Sequence, residues 1–171
     1  MEIQLPDGTT LAVRPLGPDD KQALSEGIEH LSPESRYRRF FVPVTRLGSR
    51  ELTYLTDLDH DRHEALVAVD PDTDDGAAVA RYVRDGDDPS VAEIALTVAD
   101  EWQGRGLGKA LLRQLAAVAR ERGINRFTGL VLAENRAMQA LMRGLGSNTT
   151  RSADAGTVEL SVQLDQTERS S

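Results

Sequence analysis

The chain has 171 residues, a formal net charge of −8, 39% hydrophobic residues and no cysteine. The missing cysteine excludes disulfides, a thiol nucleophile and thiolate metal sites, and the acidic balance argues against broad nucleic-acid binding. No apolar run approaches the roughly 18 residues of a membrane span, and Met1-Glu2-Ile3-Gln4 lacks the basic and apolar regions of a signal peptide.

The expectation is therefore a cytoplasmic protein with a single domain over residues 1–164 and a flexible tail over 165–171. Ile3-Gln4-Leu5 and Thr9 to Val13 flank Pro6-Asp7-Gly8, which predicts a hairpin. Pro18-Asp19-Asp20 opens a helix to about His30, with Leu24 and Ile28 inward at i, i+4. Ser32 as N-cap and Pro33 at the first helical position start a second helix, Ser35 to Phe41, which carries Arg36, Arg38 and Arg39. A short helix follows from Ser49 to about Thr56. Glu64–Val69, Ala77–Arg84 and Val91–Val98 are strands joined by short turns, most simply an antiparallel meander.

The central helix begins near Gly106, with an apolar stripe of Leu107, Leu111, Leu115 and Val118, and Gly123 ends it. Arg126 to Leu132 is a strand, entered through that helix and so parallel to its predecessor if adjacent. Asn135 to Leu145 is helical, with Met138, Leu141, Met142 and Leu145 inward and Gly146 stopping it. Two strands, Thr149–Ser152 and Thr157–Leu164, surround Ala155-Gly156.

Between the third strand of the meander and the central helix lies Gln103-Gly104-Arg105-Gly106-Leu107-Gly108-Lys109. Glycine permits positive φ and close approach, and a helix N-terminus offers free N–H groups and roughly half a positive charge. Arg105, Lys109 and Arg113 add full charges to a chain that is otherwise acidic. The combination describes a phosphate or pyrophosphate site. A dinucleotide G-x-G-x-x-G fails because Lys109 occupies the third glycine position and too little chain follows for the remaining sheet. A P-loop fails because no Gly-Lys-Ser/Thr occurs. A Gly-rich helix entry without a ligand is the plain alternative.

Gln103-x-x-Gly106-x-Gly108, set within the order β, α, α, three β, α, β, α, β, β, resembles the GCN5-related N-acetyltransferases (GNAT) over nearly the whole chain. The resemblance implies an α+β GNAT fold, with a mixed central sheet of about seven strands and about four flanking helices. It also implies acetyl-coenzyme A as co-substrate and no metal. Leu31 to Phe41, Asp57-Leu58-Asp59-His60 before Ala65 to Ala68, and Ala80 to Arg84 are similar to the bacterial Pat-type protein-lysine acetyltransferase domains. Those domains are often fused to a cyclic-nucleotide-binding or acyl-CoA-synthetase-like module. Neither is read here, so a catalytic domain alone is expected.

An amine must lose a proton before it attacks a thioester, which costs a lysine about 4.6 kcal/mol at pH 7. Glu93 is the only acid inside the strand that enters the motif, and in the resemblance a glutamate there is the general base. On a plainer reading, Glu93 only decorates an outward strand face. The resemblance further implies that backbone groups of Leu96, Thr97 and Val98 pair with the pantetheine arm, one N–H serving the oxyanion. It gives Gln103, Gly104, Arg105, Gly106, Leu107, Gly108 and Lys109 to the pyrophosphate and Asn135 to pantetheine, although Asn is also a favoured N-cap. The family's acidic tyrosine is replaced by Met142; Tyr37, Tyr54 and Tyr82 remain distant candidates for the acid, though core packing explains each more simply. The Arg36, Arg38, Arg39 cluster either grips a protein or phosphate or forms one solvated face, the latter slightly favoured. His60-Asp61-Arg62-His63 lacks a firm metal-ligand set. The leading expectation is acetyl transfer to a protein lysine, with an acyl-CoA synthetase as a partner of the right kind. A small-molecule amine acetyltransferase and a non-catalytic coenzyme A-binding regulator are the alternatives.

Overall fold

The computed structural model describes residues 1–41, 44, 46–154 and 156–165. The strands are β1 (Glu2–Gln4), β2 (Thr10–Pro15), β3 (His63–Val69), β4 (Gly76–Arg84), β5 (Val91–Val98), β6 (Arg126–Leu132), β7 (Asn148–Ser152) and β8 (Thr157–Gln163). They form one sheet in the order β1-β2-β3-β4-β5-β6-β8-β7. The helices are α1 (Lys21–His30), α2 (Pro33–Phe40), α3 (Ser49–Thr56), α4 (Leu107–Glu121) and α5 (Arg136–Arg143). Among the described residues there are thus eight strands rather than about seven, because the opening hairpin supplies two. The helices number five among the described residues, because Ser49–Thr56 is a full element.

Every neighbouring pair is antiparallel except β5 and β6, which run parallel on either side of α4. The meander and the parallel crossover follow the sequence reading. β8 inserts between β6 and β7, and its close approach is what Gly146 serves: a Cβ there would stand 1.9 Å from the Gln163 carbonyl oxygen. Gly146 does not stop α5, which ends at Arg143 with Gly144 as its cap. Of the expected C-terminal tail, all but Asp165 lies outside the described residues, as does Ala155 of the last turn.

The period-2 alternation of the central strands divides the sheet into two faces. On one face, Leu66, Ala68, Ala80, Tyr82, Ile94 and Phe127 pack against Leu107, Leu111, Leu112, Leu115, Ala116 and Ala119 of α4. The four leucines recur at helical spacing and are fully buried, each contributing about 1.5–3 kcal/mol. On the other face, Ala65, Val67 and Val69 meet Leu16 and Leu24, and a further cluster of Ile28 from α1, Leu55 from α3, and Leu31 and Leu47 from the segments beside the helices joins them through Leu24. Register places Arg81 opposite Ala65 and Ala95, so Glu93, Ala95, Thr97 and Arg81 all belong to this second face.

β5 has two unequal edges. Towards β4 its ladder runs the whole strand, from Arg84/Ala92 to Ala78/Val98. Towards β6 it stops at Glu93/Thr128, and from Ile94 and Gly129 onward the two parallel strands separate. The remaining edge of β5 is left without a strand neighbour.

Candidate active site

The separation of β5 and β6 opens a cavity of about 450 Å³. Its walls are β5 from Glu93 to Val98, β6 at Leu130 and Val131, α5 at Asn135, Ala137, Met138 and Leu141, and the turn leading into α4. Gln103, Gly104, Gly106, Leu107, Gly108 and Lys109 all line it. Of the twelve residues expected from the sequence, only Arg105 stays out of this lining.

The turn is built from local rules. β5 ends at Val98, a 3-10 turn spans Asp100–Trp102, and Gly104 and Gly106 adopt φ of +72° and +87° before α4 begins. That left-handed backbone at Gly106 strongly favours glycine and turns the first N–H groups of α4 outward. Gly108 meets a different demand, because a Cβ there would lie 3.1 Å from Leu96 and 3.3 Å from Leu141. The helix start therefore sits directly against β5 and α5. Lys109 is exposed at the rim. Its charge and the helix N-terminus together make this end of the cavity attractive to an anion.

Arg105 takes a supporting role. Its guanidinium donates to the Asp7 carboxylate at 2.8 and 3.2 Å and to the Thr9 hydroxyl at 3.1 Å, and it stacks 4.3 Å over Trp102. The Thr9 backbone N–H and hydroxyl, followed by Arg105, hold the Asp7 carboxyl down to about 2. The hairpin turn is thereby pinned to the cradle. Gln103 is likewise a brace: its amide donates to the Val98 carbonyl at 3.0 Å and to Ser35 Oγ at 3.2 Å, joining the cradle to α2. Arg113 is exposed on α4 and does not line the cavity.

At the other end stands Glu93, exposed and directed to the second face where the β5–β6 ladder stops. Among the described residues no donor lies within hydrogen-bond distance of its carboxylate. Asn135 caps α5, its Oδ1 accepting from the Met138 N–H at 3.2 Å while the residue lines the cavity. Met142 is fully buried, its sulfur and methyl packed over Gly129, and it does not reach the cavity. Tyr82 is buried, its hydroxyl donating to the Asp61 carbonyl at 3.2 Å. Tyr37 and Tyr54 are exposed, 42% and 58%, so the packing role expected for them is corrected. No tyrosine lines the cavity.

The reading of Arg36, Arg38 and Arg39 as one solvated face is also corrected. Arg36 turns back to the Leu31 and Glu29 carbonyls at 2.7 and 3.1 Å, capping the end of α1. Arg38 pairs with Glu34 at 2.8 Å, one turn away. Arg39 points inward and lines the cavity with Ser35 and Arg38. Burial pushes its guanidinium below the usual value, and the Glu93 and Tyr54 charges oppose that shift. The i, i+3, i+4 spacing of Ser35, Arg38 and Arg39 was the available signal for a shared helix face. Beside them, Arg81 is buried and donates to the Leu55 carbonyl and to His63 Nε2, both at 3.0 Å. Burial, then the Arg81 cation, pushes the His63 imidazole down to about 4. His60 binds Glu64 at 2.8 Å, and no group of three or more metal-ligating side chains gathers among the described residues. No helix among them is long and apolar enough to cross a membrane.

Comparison with known proteins agrees with this geometry. Residues 29–146 match the family model described as the acetyltransferase (GNAT) family. An acetyltransferase Pat from Mycolicibacterium smegmatis is 35% identical over 162 residues, which is 95% of this chain and 48% of that protein. The chain thus spans about half the length of that relative. The crystal structure of the GNAT domain of S. lividans PAT superimposes with a TM-score of 0.88 at 37% identity, covering 96% of each chain. A putative acetyltransferase from Salmonella typhimurium, solved with its cofactor acetyl-CoA, shares the fold at TM-score 0.72 and 19% identity, over 92% of this chain and 96% of that one.

Proposed function

The chain belongs to the GNAT acetyltransferase family, and from that premise we propose that it moves an acetyl group from acetyl-coenzyme A to the side-chain amine of a protein lysine. The observation that carries this reading is the one-sided opening of β5. The ladder to β6 ends at Glu93/Thr128, which leaves an acid at one end of a cavity and a helix N-terminus at the other.

The residues divide the work by position. The turn from Gln103 to Lys109 and the first N–H groups of α4 would hold the pyrophosphate. The free edge of β5 from Leu96 to Val98 offers peptide groups to an extended ligand, and Asn135 faces it across the opening. Acetyl-coenzyme A supplies an activated acyl carbon and a leaving group that departs as a thiolate. Glu93 accepts the proton from the lysine ammonium, and the neutral nitrogen attacks the carbonyl carbon as the C–S bond breaks. A β5 N–H serves the oxyanion. Met142 is buried over Gly129 and has no proton to offer the sulfur. A thiol with a pKa near 8.5 needs little such help at neutral pH.

The relatives named Pat favour a protein acceptor, and an acyl-CoA synthetase is the kind of partner to try first. The test is incubation of the protein with labelled acetyl-coenzyme A and a bacterial lysate, followed by mass spectrometry. Acetyl-lysine on a small set of proteins supports the reading. Turnover of a free polyamine or aminoglycoside with no protein labelled would replace it.

A further inference from the structure

Arg39 and Thr97 line the main cavity and also a second one of about 90 Å³ on the second face of the sheet, beneath α1. The second cavity has mostly apolar walls, Leu24, Ile28, Val67 and Val79 among them; Arg14, paired with Asp20, and Asp74 also border it, as do Arg39 and Arg81. Neither the Arg39 nor the Arg81 guanidinium has a carboxylate within ion-pair distance among the described residues. Arg81 is 6% exposed and makes only the two bonds to the Leu55 carbonyl and His63, and no hydrogen bond of Arg39 is found among those residues. A buried and a half-buried cation side by side, neither in an ion pair with a carboxylate, are costly to hold together. Burial, then the Arg39 charge, pushes the Arg81 guanidinium down to about 10, the same imbalance seen from the other side. Such a place repels a lysine ammonium and suits an anion at the end of an apolar chain.

Glu93 and Ala95 share this face with Arg81, and Arg39 borders both cavities, so an acyl chain leaving a thioester in the β5 opening towards this face is directed at the two arginines. We propose that Arg39 and Arg81 receive the terminal carboxylate of a dicarboxylic acyl group, so that the protein uses succinyl-type coenzyme A thioesters as donors. The proposal rests on the acyl-transfer reading above and names its donor class. The bonds change as for acetyl transfer: the amine nitrogen bonds to the thioester carbon, and the C–S bond breaks. Coenzyme A leaves as thiolate, the amine proton passes to Glu93 and then to solvent, and the distal carboxylate is unchanged.

Calorimetry with succinyl-coenzyme A and butyryl-coenzyme A tests this, because the two differ only in a carboxylate replacing a methyl group. The unaltered protein should bind the succinyl thioester at least about tenfold more tightly, as a charge-assisted pair allows. Arg39→Gln should bring the ratio of the two affinities to about one. Equal binding, or preference for butyryl, in the unaltered protein overturns the inference. Arg39→Gln that slows turnover with both donors while keeping the affinity ratio also overturns it, since the arginine would then serve the leaving thiolate. If Arg39→Gln does not fold, the wild-type ratio still decides. Acetyl-coenzyme A binding and lysine acetylation, measured on the same sample, report separately on the acetyltransferase reading.

Discussion

The two edges of β5 have almost the same sequence to work with and opposite fates. Towards β4, every residue from Ala92 to Val98 has a partner, and side chains alternate into two packed faces. Towards β6, pairing ceases after Glu93 and the freed backbone borders a cavity. The closed edge fixes where β5 lies, and the open edge makes it useful. A strand pinned on one side holds its peptide groups on the other at fixed spacing, so a ligand meets preorganised partners rather than a loop that must first be ordered.

The largest effect should come from the acid at the end of the open edge. Glu93→Gln should lower the rate of acyl transfer about 10²- to 10⁴-fold, the usual worth of a general base, while acetyl-coenzyme A binding persists. Near-normal turnover of Glu93→Gln would move the base elsewhere.

Met142 sharpens the contrast from α5, where it packs over Gly129 of β6 and stays out of the cavity lining. Met142→Ala should cost about 2–5 kcal/mol in denaturant unfolding, the range for emptying a buried site, with little change in rate per folded molecule. A large loss of rate with intact stability would mean that the thioether takes part in the chemistry. At the mouth of the opening, Gly106→Val forces a β-branched residue to φ near +87°. With strain of about 1–3 kcal/mol placed in the cradle, acetyl-coenzyme A should bind about tenfold more weakly or worse while circular dichroism is retained.

The smallest effect belongs to the second face away from the opening. His63 is held at about 4 against an ordinary 6.5, so between those values the unfolded chain takes up a proton that the folded one refuses. Stability should therefore fall as pH drops from 6.5 to about 4 and level off below. The contribution is about 1–2 kcal/mol, discounted because the ring is only partly shielded from water. His63→Gln should flatten that part of the melting-temperature profile, and an unchanged slope would assign it to the carboxylates.

The closed parts of this molecule were legible in the sequence. Pro6-Asp7-Gly8, the leucine repeat of α4, Ser32-Pro33 and the meander all express local rules, and their positions follow. The open parts were only half legible. Gly106 and Gly108 announce a cradle because their backbone needs are local. The point at which β5 and β6 separate is a long-range property that no periodicity carries. Arg39 was misread for the same reason: three arginines in four residues read as a wet face, and only the packing of α2 on β5 turns one inward. The pairing of Arg105 was not legible because its partner Asp7 lies at the far end of the chain, 98 residues away.

Hydrogen exchange on the protein with and without acetyl-coenzyme A tests the central claim most directly. The account predicts new protection in Ile94–Val98 and in the first turn of α4, with β2, β3 and β7 unaffected. Saturating acetyl-coenzyme A that leaves those amides exchanging as before would contradict it.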